Sequence, residues 1–272
     1  MSFFFRCVPQ GGVALFFWWV IVSAANASTI KILPTTKALS LVVAEVTAEV
    51  YPSLLAANVS PHDFSLRPSH IRKIQDAQLV VWLGPKLEPY LAKVMARVPA
   101  HKQFIINQGQ TSQGYGQHPW TSPAYLLQGM QQLSQHMGLI WHGDAWREQI
   151  SGLKAQLLEH TRNLSLQGQG YLVYHDGLEG FEAYFGLTHL ASFTGSDDQA
   201  PGAKKLATIA QLAKEGKVAC VLVDHEVKHK LVNAVLPPNI ERIAIDILAA
   251  NSKTLIGYIT ELQKALLSCG LR

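Results

Sequence analysis

Charge is scarce in this chain and cysteine scarcer. Only 15% of its 272 residues are Asp, Glu, Lys or Arg, and the formal net charge is +4. No long basic run occurs, so the electrostatic footprint of a nucleic-acid binder is missing and that class is set aside. No G-x-S-x-G nucleophile elbow is present either, and we expect no enzyme. Low-complexity tracts and internal repeats are absent. Acids are missing from Met1 to Gly12, where Arg6 is the one charge, and charge of either sign is missing from Val13 to Ala25. The small-x-small triplet Ala25-Asn26-Ala27 follows. A basic start, a short apolar run and such a triplet make a secretory signal, expected to be cleaved after Ala27. At about 13 residues the run falls short of the roughly 20 needed to span a bilayer. Glu45 and Glu49 interrupt the next apolar stretch, so the expected product is exported, soluble and monomeric.

Of three cysteines, Cys7 precedes the apolar run and would leave with the signal. Cys220 and Cys269 remain. In an oxidising compartment an even count reads as a disulfide, with two free buried thiols as the alternative. Removing Arg6 lowers the net charge to +3.

What is present is alternation. Apolar runs at 30–33, 79–84, 103–107, 171–175, 218–224 and 242–246 predict strands. Amphipathic stretches near 36–50, 68–77, 87–96, 122–138, 203–215 and 252–267 predict helices. This order predicts an α/β protein with parallel sheets. Ser122 followed by Pro123 is a cap and first helical position. Residues 142–166 break the alternation: Ile150, Leu153, Leu157 and Leu164 form one apolar stripe. A helix there would run about 37 Å and connect two lobes. The expected organisation is a signal over 1–27, an N-terminal α/β lobe over 28–140, a connecting helix over 141–167 and a C-terminal α/β lobe over 168–272.

His62, His118, His175 and Asp246 fall in turns or at strand ends, two in each expected lobe. Ligands of open α/β sheets bind beyond the carboxyl ends of strands. Three imidazoles and a carboxylate suit tetrahedral Zn²⁺. Asp63 and Asp176, each directly after a histidine, either orient a ring or cap the next helix. A loop histidine taken singly is more often a solvated residue, and the other eight are read so.

The local sequences add to this. SPHDFSLRPSHIRKIQDAQLVVWLGPKLEPYL, HPWTSPAYL, YLVYHDGLEGFEAYFGLTHLASFTGSDDQAPGAKKL and the late CVLVD resemble the cluster A-I family of metal-specific solute-binding proteins of ABC transporters. The resemblance is closest to its periplasmic zinc-uptake, ZnuA type. It implies two α/β lobes joined by a long helix, with the metal in the cleft. It implies His62, His118 and His175 as ligands, Asp246 or water as the fourth, and a Cys220–Cys269 disulfide. It also implies delivery of zinc to an ABC permease, with a metal chaperone as a further candidate partner. The alternative is a manganese or iron binder, or an adhesin, of the same fold. The chain departs from the family in two places. The loop NQGQTSQGYGQ before His118 holds no histidine or acid, where relatives carry a His-rich loop. The family's Asp-Pro-Leu-Gly reads Asp246-Ile247-Leu248-Ala249. His225 stands as a rim residue.

Overall fold

Three short runs make the first sheet: β1 (Ile32–Pro34), β2 (Leu79–Trp82) and β3 (Gln103–Ile105), all parallel in the order β1-β2-β3. The computed structural model describes residues 30–61, 64–108, 115–195, 201–224 and 230–270. The expected signal over 1–27, His62 with Asp63, and His225 lie outside the described residues. All four residues of β2 are buried, which is why LVVW carries no polar alternation: a strand covered on both faces reads as a continuous apolar run. The second sheet joins β4 (Gly170–His175), β5 (Ala191–Thr194), β6 (Val218–Asp224) and β7 (Glu241–Ile245) in the order β5-β4-β6-β7, again all parallel.

Helices fill the crossovers. They are α1 (Lys37–Thr47), α2 (Pro68–Asp76), α3 (Pro89–Met95), α4 (Pro123–His136), α5 (Asp144–Leu166), α6 (Glu179–Phe185), α7 (Ala203–Lys214), α8 (Lys230–Val235) and α9 (Leu255–Leu267). Three starts are fixed by hydroxyl caps: Thr36 accepts from Leu39 N, Ser122 from Tyr125 N and Thr254 from Gly257 N. Each satisfies a backbone donor that the first turn would otherwise leave open. Pro123 opens α4 where its missing N–H costs nothing.

The long helix α5 follows the first sheet in the chain and packs on helices of the second half. Ile150, Leu157 and Leu164 form its buried stripe as the spacing predicted, joined by Trp146, with Leu153 partly buried beside them. From α9, the Gln263 amide donates to Leu153 O at 3.3 Å and Gln156 Oε1 at 2.9 Å. Lys154 Nζ donates to Tyr184 O of α6 at 3.0 Å. One apolar cluster runs through these contacts without interruption, from Leu39 of α1 and Leu126 of α4 through Ile150 to Phe181 of α6 and Tyr258 of α9. Smaller clusters line the other face of each sheet. The halves thus share a core.

Cys220 of β6 and Cys269, just past α9, are disulfide-linked with Cα atoms 5.4 Å apart. Both are fully buried. In the first half, the buried Glu88 carboxylate gathers three donors: Leu83 N at 2.6 Å, Tyr90 OH at 2.6 Å and Thr35 Oγ1 at 2.9 Å. Burial outweighs them and pushes its pKa up to about 7.

The structure adds three elements to those expected: β5, α6 and α8. Asp246 lies one residue beyond β7 instead of ending it.

Candidate metal site

Two of the four expected ligands meet. His118 lies between Gln117 and the 3₁₀ turn Pro119–Thr121, and its side chain is buried. Its carbonyl accepts from both Thr121 N and Thr121 Oγ1, which fixes the backbone at that point. His175 ends β4, in register with Thr194 of β5, and is half-buried. The two rings stand edge-on, 4.8 Å between centroids and 87° between planes. Fifty-seven residues of chain separate them, and they reach each other only because α4 and α6 pack side by side.

The backbone around them is close-fitting. A methyl group at Gly177 would lie 2.9 Å from Ile247 Cδ1, 3.3 Å from His175 Cδ2 and 3.6 Å from His118 Nδ1. Glycine lets the turn after His175 settle against Ile247, with His118 in ordinary contact beyond. The Ile247 carbonyl accepts from Trp120 Nε1 at 2.8 Å and from Tyr258 OH at 2.9 Å. One carbonyl therefore joins the His118 loop, the segment after β7 and α9. Thr36, Pro61, Trp120 and Leu248 line one small cavity beside this seam. Pro61 is buried there and is the last described residue before His62.

Asp246 stands next to the pair through Ile247, but Asn251 holds its carboxylate: Asn251 N and Nδ2 donate to Oδ2 at 2.9 and 3.4 Å. Among the described residues, no three His, Cys, Asp or Glu side chains form a group able to hold a metal ion. The structure brings His118 and His175 together. It leaves Asp246 alongside them, and His62 is outside the described residues.

The acids around the pair are denser than the sequence suggested. Burial pushes the Glu179 carboxyl up, Asp176 and Glu182 add to this, and His189 and His175 oppose it. Glu182 accepts from Tyr171 OH at 2.6 Å and meets His189 Nδ1 at 3.0 Å through both oxygens. At His189 burial favours the neutral ring, yet the bond to Glu182 and the nearby acids raise its pKa on balance. Burial, then Asp246 and Asp224, raise the Tyr258 hydroxyl. Glu179 was not among the expected site residues; its place in the first turn of α6, four residues after His175, was the available signal. A second overlooked feature is His225-Glu226-Val227-Lys228-His229, an H-E-x-x-H string. The zinc-hydrolase use of that string requires a helix presenting both imidazoles on one face. It falls between β6 and α8, outside the described residues.

Similar folds define the class. The zinc-binding protein TroA of Treponema pallidum superposes with a TM-score of 0.70 at 15% identity, over 89% of this chain and 99% of that one. A ZnuA deletion mutant with zinc bound gives 0.71 at 17% identity, over 89% and 98%. FpvC of Pseudomonas aeruginosa, in complex with Mn²⁺, gives 0.68 at 15%, over 87% and 96%. These likenesses show a shared fold. The family described as zinc-uptake complex component A, periplasmic, matches residues 32–268, and the chain belongs to it. The ZnuA high-affinity zinc uptake protein of Yersinia pestis is 25% identical, over 92% of this chain and 94% of its own length. That of Haemophilus ducreyi is 26% identical, over 79% and 82%. No helix among the described residues is long and apolar enough to cross a membrane.

Proposed function

We propose that this protein captures zinc in the periplasm and delivers it to an ABC permease for import. One observation carries the reading: two imidazoles from opposite halves of the fold, edge-on and 4.8 Å apart, one ending the parallel strand β4 and the other in the loop between β3 and α4, on the side of the strands where such folds bind ligands. Membership in the zinc-uptake family supports it. His62, His118 and His175 supply neutral nitrogen ligands, and Asp246 or water takes the fourth position. Imidazole-rich sites favour zinc over manganese, which prefers carboxylate and water oxygen. The protein works as a monomer, exported by its 1–27 signal, and accepts zinc free or from a chaperone. Its lobes are 28–140 and 168–272, with 141–167 connecting them. The ion is cargo, so the site must release it intact; Asp246 in the fourth position would close the coordination set, whereas water there would leave the open position a hydrolase uses.

Elemental analysis of the purified mature protein before and after a chelator tests this directly. About one zinc per chain, removed by the chelator and restored by titration, is expected. A chain that takes up manganese or iron in preference to zinc under competition would move the assignment to another metal. Hydrolysis of an unstructured protein substrate by the zinc-loaded form, abolished in Glu226→Gln, would instead point to the H-E-x-x-H string.

A further inference from the structure

The seam between the halves holds an acid that no ligand assignment uses. Glu179 opens α6, and its carboxylate lies directly against the backbone of Gly116, two residues before His118. A methyl group on Gly116 would fall 1.2 Å from Glu179 Oε2, 2.4 Å from Cδ and 3.1 Å from Cβ. The contact therefore exists only with glycine at 116. Gly116 also has φ +62°, a conformation that other residues enter at a cost. The next residue repeats the pattern from the other side: a methyl on Gly180 would lie 2.8 Å from Ser122 Cβ. With these two close approaches, and a turn at Gly177 where a methyl would be in ordinary contact with His118, the segment 177–180 docks onto the segment 116–122. The two segments carry, or directly follow, the two histidines that meet.

We propose that Glu179 is a positioning and affinity-setting carboxylate of the metal site, seated on Gly116 so that it braces the His118 loop and keeps a negative charge beside the imidazoles without ligating the ion. This rests on the zinc-site reading above. A dication entering the site meets the imidazoles of His118 and His175, and a carboxylate held close by lowers its energy through space. The seat matters because a free glutamate at a helix start would swing into water, where the same charge is largely screened. The glycine at 116 and the acid at 179 thus act as one device.

Zinc affinity would be measured by competition with a chromophoric chelator at about pH 7.5, above the ordinary imidazole pKa, for wild type, Glu179→Gln, Gly116→Ala and the double variant. Thermal midpoints of the metal-free proteins report folding. Wild-type binding tests the zinc-site reading by itself, so its failure is separable from failure here. Glu179→Gln keeps the shape and removes the charge; we expect zinc affinity to fall about three- to tenfold at low salt, and less at about 0.5 M salt. Gly116→Ala expels the carboxylate and should cost a similar factor. In the Glu179→Gln background the same alanine should cost less affinity than in wild type, because the charge is already gone and only the bracing is left to lose. Wild-type affinity in Glu179→Gln at low salt would overturn the proposal, and so would losses that multiply in the double variant. Should Gly116→Ala fail to fold, the salt series on Glu179→Gln decides alone.

Discussion

At Glu88, three donors converge on one carboxylate, yet burial keeps its pKa at about 7, above the usual 4.5. A folded-state pKa above the unfolded value means that folding favours the protonated form. The stabilisation is then full below about pH 4.5 and is lost as pH rises through about 7. The shift corresponds to something on the order of 3 kcal/mol between those limits. Glu88→Gln cannot titrate, so its stability relative to wild type should improve as pH rises from about 5 to about 8. Urea unfolding of the metal-free proteins at both pH values reads the difference, and an unchanging gap would sink the idea. In the proposed site, His175 is the residue on which metal choice should turn. His175→Glu replaces a borderline nitrogen by a hard oxygen, so the zinc-over-manganese affinity ratio should fall, chiefly through weaker zinc binding. Zinc should still win in absolute terms. A ratio constant in competition titrations would remove His175 from the ligand set.

Among the elements, the disulfide has the clearest consequence. It ties β6, the inner strand beside β4, to the segment just past α9, closing a loop of 49 residues. A loop of that length is worth about 4 kcal/mol in the chain-entropy model, and measured values commonly fall nearer 2–4. The Cys220→Ser, Cys269→Ser double variant should therefore unfold at a clearly lower denaturant concentration than the oxidised protein. Equal midpoints would show that packing of α9 alone holds the terminus. This bond, the long α5 and six of the seven strands among the described residues were legible because each leaves a local mark: paired cysteines, a helical stripe, a run of buried apolar residues. The missing strand, β5, reads ASFT. It lies at the sheet edge with two hydroxyl residues in four, too short and polar to stand out. The seven-residue α6 and six-residue α8 give too few turns for a periodicity. The histidines could be read as strand-end and turn residues. The seat of Glu179 on Gly116 could not, because it depends on how chain segments 63 residues apart pack, and no local pattern encodes that.

For the whole molecule, the shared core decides how metal binding is felt. Because the largest apolar cluster runs from α1 and α4 to α6 and α9, and each half adds only a smaller cluster of its own, melting one half strips the other of most of its core. The metal-free protein should unfold in one transition. A ligand that binds only the folded form stabilises by mass action, about 2.7 kcal/mol at a free concentration one hundred times Kd. For a domain of this size that is roughly 5–10 °C in Tm. On the proposed site, zinc held between His118 and His175 should raise that single transition as a unit, since both histidines sit where the halves meet. Manganese should raise it less. His118→Ala and His175→Ala should each remove most of the zinc-induced rise. His118→Ala should also lower the metal-free midpoint, because that ring is buried and its loss leaves a void. The half-buried His175 should change it less. Differential scanning calorimetry with zinc, with manganese and with a chelator distinguishes these outcomes. Two resolved transitions, only one of them moved by zinc, would mean that the ion is held within one half and that the His118–His175 pair does not carry the site.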